Sequence, residues 1–289
     1  LVTLPKRVAA AALWHSTKIV TAFMRLGPKA RHLLDLLFMT GIDVLEVAAN
    51  PKRVLFDTVG WSSDRNFNRH LKELGEEGWV SWKDNHSEGS WVIAITESGK
   101  NALLENIDPE ESWSHQWDKK WRTLSFDLPQ GARRERRQLD AWLRKRRFGH
   151  LQGSVWISHR PYSDWTLEIE QLKIDPRAVL FQESVPLGTN KDSDYVESSW
   201  DFDQINALYE SYISSLGSTP TKTLQNGAAV SNWFREDSTL WKTAFDLDPF
   251  LPEELLPSSY LGKTAWKARR KAYKQLGRRF ATEANPTHQ

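Results

Sequence analysis

Between Ser62 and Leu74 the sequence sets out hydrogen-bonding side chains at a spacing that keeps them together on a helix. Phe67, Leu71 and Leu74 recur at i, i+4 and i+7 and mark a buried side. Ser63, Arg65, Asn66, Arg69 and Lys72 are then left on or beside the outer side. The planar fork of arginine matches O6 and N7 of guanine, and an asparagine amide matches N6 and N7 of adenine. Such a set has the chemistry to read base edges in a duplex groove. Ser62, close to the helix start, is better placed for a phosphate oxygen. Lys83 and His86 follow on a pair of extended segments that could grip the flanking backbone.

A second set is purely cationic. Arg133, Arg134, Arg136, Arg137, Arg144, Lys145, Arg146 and Arg147 crowd into residues 131–147 against only Glu135 and Asp140. Three uses are open to them: contact with DNA phosphates, a bidentate grip on the phosphates of a small effector (Arg133, Arg137, Arg144 and Arg147 being the candidates), or an ordinary solvated face. A single carboxylate, Asp127, ends a predicted strand. Paired with its copy across a dimer it could hold Mg²⁺ and activate water, although an aspartate in that place also serves as a turn or capping residue. The eight histidines never fall at i, i+4 or in a cluster, and no Walker, dinucleotide or G-x-S-x-G pattern occurs. No resident metal or cofactor is expected, and the reading taken is a protein that is not an enzyme.

The elements that must position these groups can be read from apolar spacing. Residues 28–40 form a helix with Leu33, Leu34, Leu37 and Phe38 inward, and Gly41 can end it. Pro51 can open a second helix with Val54, Leu55 and Thr58 inside, stopped at Gly60. Ser62 or Ser63 can cap the third. Extended stretches Trp79–Lys83 and Ser90–Thr96 flank a polar tip and predict a hairpin. Three helices and a hairpin make a winged helix-turn-helix, whose third helix enters the major groove. Such folds also serve as protein-docking modules.

Residues 97–118 read as a short helix and a linker. Strand Trp121–Asp127, helix Ala132–Arg147, strand Ser154–Ser158, helix Ser163–Lys173 and strand Ala178–Val185 then predict a ferredoxin-like α/β sandwich that lacks one strand. Helices Phe202–Leu216, Phe234–Phe245 and Gly262–Phe280 complete a mostly helical C-terminal region. The fold class is therefore α+β. Its expected parts are an extension over 1–27, the winged helix over 28–105, the central domain over 119–187 and the helical domain over 195–289.

Composition excludes several classes. With 39% hydrophobic and 26% charged residues the 289-residue chain is globular in character. No apolar run approaches the roughly 20 residues of a membrane-spanning helix. The run Val8–Trp14 behind Lys6 and Arg7 sits at the short limit of a signal peptide, and a chain that is not secreted is expected. It begins at Leu1, so an initiating methionine is expected upstream. The absence of cysteine removes disulfides, thiolate zinc sites and cysteine nucleophiles. The net charge is only +2, but residues 1–34, 131–147 and 263–279 concentrate the cations, which suggests one basic surface that attracts a polyanion. The 15 tryptophans are dispersed through every segment, which points to core packing.

Read in order, the chain resembles the PaaX family of bacterial transcriptional repressors. Three stretches carry the likeness. The first is the winged-helix region ending in Trp79-Val80 and Ile95-Thr96-Glu97-Ser98-Gly99. The second is Trp121-Arg122-Thr123-Leu124-Ser125-Phe126-Asp127-Leu128-Pro129, continuing to Arg147-Phe148-Gly149 and Gly153-Ser154-Val155-Trp156-Ile157-Ser158. The third is Asp248-Pro249-Phe250-Leu251-Pro252-Glu253-Glu254-Leu255-Leu256-Pro257. The resemblance implies a cytoplasmic homodimer that binds double-stranded operator DNA and is released by an aryl-acyl-coenzyme A effector. It implies no membrane partner. The middle segment also looks like the small CRISPR-associated ferredoxin-fold proteins of spacer acquisition, some of them metal-dependent nucleases with an aspartate at the place of Asp127. A nuclease and a docking module are thus the alternatives.

Overall fold

Leucines three and four places apart make α1 (Pro28–Thr40) the first described element, and it buries Ala30, Leu33, Leu34, Leu37 and Met39. The structure is a computed structural model that describes residues 28–40, 63–85, 90–104, 107–161, 165–217 and 227–284. The helix expected from Pro51 to Gly60, the residues 1–27, Gly41, Ser62 and His86 lie outside them. The described residues fall into two compact units. One draws on Leu1–Asp108, Tyr209–Lys242 and Lys263–Gln289, the other on Pro109–Leu208 and Thr243–Gly262.

In the first unit α1 is followed by α2 (Asp64–Glu76), which turns Phe67, Leu71 and Leu74 inward as the spacing predicts. Ser63 stands at its N-cap in extended conformation, without the side-chain capping bond expected of a serine. Strands β1 (Val80–Asn85) and β2 (Ser90–Ile95) pair antiparallel, from Val80 opposite Ile95 to Asn85 opposite Ser90. Asp84 and Asn85, assigned to the tip by their polarity, belong to the ladder. β-Pairing of the backbone is indifferent to their side chains. Thr96 ends the hairpin and caps α3 (Glu97–Leu103): its hydroxyl accepts from the Gly99 N–H at 3.0 Å and donates to the Gly78 carbonyl at 2.6 Å. Gly99 is required here, since a Cβ would lie 2.2 Å from the Trp79 carbonyl oxygen.

The same unit holds a buried polar hub. Arg269, on α10 (Gly262–Ala284), donates from Nη2 to Asp35 of α1 at 3.0 Å and to Asp237 of α9 (Gly227–Leu247) at 3.0 Å. Asp237 also accepts from the hydroxyls of Tyr212, on α8 (Phe202–Leu216), and Tyr273, each at 2.6 Å. The faces of Trp241 and Tyr273 lie 5.0 Å from the guanidinium carbon. Burial, reinforced by the neighbouring Asp237, raises the Asp35 carboxyl above its ordinary range despite Arg269.

The second unit is built on a four-stranded antiparallel sheet. β3 (Trp121–Phe126), α5 (Arg133–Lys145), β4 (Gly149–Gln152), β5 (Val155–Ser158), α6 (Trp165–Gln171) and β6 (Val179–Ser184) follow in chain order, and the strands lie β4-β5-β3-β6. This β-α-β-β-α-β succession is the ferredoxin-like pattern. It contains a strand that the sequence reading lacks: β4 leads through Gly153, at φ 54°, into β5. Leu124, Phe126, Leu139, Trp142, Leu143, Phe148, Trp156, Ile169 and Val179 form the core between sheet and helices.

Trp121 faces the other side of β3, where its ring lies 5.1 Å from Trp117, 6.2 Å from Tyr195 and 6.1 Å from Trp200. Tyr195 belongs to α7 (Asp192–Ser199), a helix that the sequence analysis does not predict. The linker containing Pro109 holds a helix too, α4 (Pro109–Ser114). Its Trp113 donates to the Tyr260 hydroxyl at 3.2 Å, and Tyr260 in turn donates to the buried Asp248 carboxylate.

Candidate nucleic-acid interface

On α2 the exposed side chains fall opposite the buried ones. With 3.6 residues per turn, Lys72, Arg65 and Arg69 lie within about 60° of one another, and Asn66 a further 60° or so round. Arg65 and Asn66 are exposed and make no hydrogen bond or ion pair among the described residues. The Arg69 side chain is 61% exposed with Nε 3.7 Å from Glu73, and Lys72 is 77% exposed with Nζ 3.5 Å from Glu76. Exposed i, i+4 pairs of this kind are worth at most about 0.5 kcal/mol. Either cation can therefore leave its glutamate for a stronger anion at little cost. The two pairs are legible from the i, i+4 spacing in the sequence. Glu73 also meets Nδ1 of His70 at 2.9 Å. Lys83 lies on β1 opposite Val92.

The cations of residues 131–147 separate into two groups. Arg136 donates to the Leu128 carbonyl at 2.9 Å and covers the Phe126 ring. Arg146 pairs with Glu168 and stacks on Trp142 at 4.4 Å. Arg147 has left the helix, at φ 62°, and is buried. Its Nη1 donates to the carbonyls of Phe245 and, at 2.6 Å, Asp248, between the rings of Phe245 and Phe250. Those three are held by the protein itself. Arg133, Arg134, Arg137, Arg144 and Lys145 are exposed; Arg144 lies over Trp156 at 5.3 Å, and the others have no partner among the described residues.

Arg122, at the start of the central sheet, is part of a compensated cluster. It bridges Asp118 and Glu183 and, through Nη1, the His159 carbonyl at 3.3 Å. Its guanidinium holds the Asp118 carboxyl below the usual range, and burial drives the His159 imidazole well below its own. His159 is therefore a neutral core residue. Asp127 is exposed where β3 ends, with its N–H given to the Ala178 carbonyl at 2.9 Å. Among the described residues no group of three or more histidines and carboxylates is placed to hold a metal ion. No helix among them is long and apolar enough to cross a membrane.

Two family models match the chain: "PaaX protein central Cas2-like domain" over residues 114–196, and "PaaX-like protein C-terminal domain" over residues 200–284. The transcriptional repressor PaaX of Escherichia coli K12 is 24% identical over 218 residues, which cover 68% of this chain and 63% of that protein's length. An uncharacterised protein from Mycobacterium tuberculosis superposes with a TM-score of 0.52 at 16% identity, covering 80% of this chain and 88% of that one. At that identity the second likeness shows the fold alone.

Proposed function

The chain belongs to the PaaX family, and from that premise we propose that it is a sequence-specific DNA-binding transcriptional regulator, a homodimeric repressor released by a small-molecule effector. The observation that carries the proposal is the two-sidedness of α2: Phe67, Leu71 and Leu74 are sealed in the core while Arg65, Asn66, Arg69 and Lys72 are open to solvent. On this reading α1, α2 and the β1–β2 hairpin belong to a winged helix spanning 28–105. In it α2 is the recognition helix, Ser62 and Ser63 contact phosphate at its start, and Lys83 and His86 hold the backbone from the wing. Residues 119–187 and 195–289 would supply dimerisation and effector sensing. The effector is an aryl-acyl-coenzyme A thioester. The protein acts in the cytoplasm and catalyses no reaction.

A thousandfold release from the operator needs about 4 kcal/mol of differential effector affinity between the two arrangements of the protein. Footprinting on the DNA upstream of its own gene, with and without aryl-acyl thioesters, tests the whole reading. Within it, Arg69→Ala is expected to weaken specific binding by about 1–3 kcal/mol, roughly fivefold to 150-fold, with non-specific affinity changed far less. An unchanged gel-shift midpoint would remove Arg69 from the base readers. Binding to no duplex at any salt concentration would leave a protein-docking module in place of the regulator.

A further inference from the structure

We propose that the outer face of α5 is a second duplex-binding surface, which contacts DNA phosphates without reading bases. The inference takes its ligand class from the reading above and none of its residues from α2. Its basis is the separation of the eight neighbouring cations into three that the protein engages through hydrogen bonds or an ion pair and five that it does not. Had all eight been a solvated face, none would have been engaged in this way. Instead Arg136, Arg146 and Arg147 satisfy carbonyls, a carboxylate and aromatic faces of the second unit.

The remaining five fall together. At 100° per residue Arg133, Arg144, Arg137, Arg134 and Lys145 occupy an arc of about 120°, turned away from Leu139, Trp142 and Leu143. Glu135 lies well outside that arc, Asp140 borders it about 20° beyond Arg133, and both acids are half-buried. At about 1.5 Å per residue the arc runs for about 18 Å along the axis. That length matches about five phosphates of one DNA strand, spaced about 3.4 Å along the duplex. Coenzyme A carries its phosphates more compactly, and enclosing them takes a walled pocket rather than the convex side of a helix. One cleft among the described residues of this unit is lined by Arg122, Pro161, Phe181, Gln182 and Glu183. Charge complementarity and length therefore favour a polymer of phosphates.

The full-length protein and a duplex without any operator test this through the salt dependence of affinity. Each phosphate contact contributes about 0.9 to the slope of log K against log salt. Replacing Arg133, Arg134 and Arg137 together by glutamine is expected to lower the magnitude of that slope by about 2–3. The corresponding triple lysine variant keeps most of it, because a point charge suffices at a phosphate. The three single glutamine variants, each expected to remove about one unit, decide the matter should the triple variant fold poorly. Arg69→Ala serves as the control for α2. A slope unchanged in the triple glutamine variant, while Arg69→Ala still loses operator affinity, overturns the second surface and leaves the regulator standing. Lost affinity for coenzyme A with an unchanged slope overturns it in favour of a ligand site. A wild-type protein with no salt-dependent binding overturns both readings.

Discussion

Arg269→Leu is expected to destabilise the protein by about 3–5 kcal/mol, the cost of removing one partner from a buried ionic cluster. The arginine side chain is only 2% exposed; its Nη2 holds both Asp35 and Asp237, and its Nε reaches Asp237 as well at 3.3 Å. Leucine fills much of its volume but leaves two carboxylates in a dry core with hydroxyls as their only donors. A thermal melt followed by tryptophan fluorescence should fall by roughly 10 °C. A melting temperature within a degree or two of the wild type would show that water, rather than Arg269, compensates the aspartates.

Asp35→Asn acts in the opposite direction. Two aspartates share one guanidinium, and burial raises the Asp35 carboxyl. A folded state with a raised carboxyl takes up protons, so this group's contribution declines as pH climbs above the ordinary aspartate range. The asparagine variant should therefore gain on the wild type as pH rises through that range, by denaturation midpoints measured in parallel. A constant difference between the two at every pH would contradict the assignment.

The second large effect is expected at Arg147. Replacing it by methionine removes the donor to two buried carbonyls, those of Phe245 and Asp248, and the cation between Phe245 and Phe250. Buried acceptors left unpaired cost about 1–3 kcal/mol each, so a loss of about 2–6 kcal/mol is expected. The loss should appear in protein free of any ligand. A phosphate-binding role predicts the reverse, normal stability without ligand and a deficit only in its presence. Equilibrium unfolding with and without coenzyme A separates the two. Arg147 stood among the phosphate candidates because a sequence shows a guanidinium but not what it faces. Its partners lie about a hundred residues away, and backbone carbonyls carry no signature in the sequence.

Where apolar side chains recur at helical spacing the sequence was explicit. α1, α2 and α8 lie where Leu33, Leu37, Phe67, Leu71, Ile205 and Tyr209 place them. β4 was not legible: Gly149-His150-Leu151-Gln152 is short, without clear alternation, and begins at a glycine. Only the structure shows the reason, since a Cβ at Gly149 would collide with Ser199 and Trp200. α7 escaped because Asp192–Ser199 buries a single apolar side chain, Val196. The division of the α5 arginines was half legible. Periodicity sets Arg136 apart from the outer arc, but its acceptor at Leu128 precedes the helix. The hub around Arg269 has no local trace, because its charges come from residues 35, 237 and 269.

That hub fixes an order of events during synthesis. Asp35 leaves the ribosome more than two hundred residues before the arginine that answers its charge. A nascent chain halted anywhere before Arg269 carries the start of the first unit without its counter-ion. Maturation of the segment that carries α1 thus waits on translation of α10, and products terminated before it should be cleared by proteases rather than accumulate as competitors.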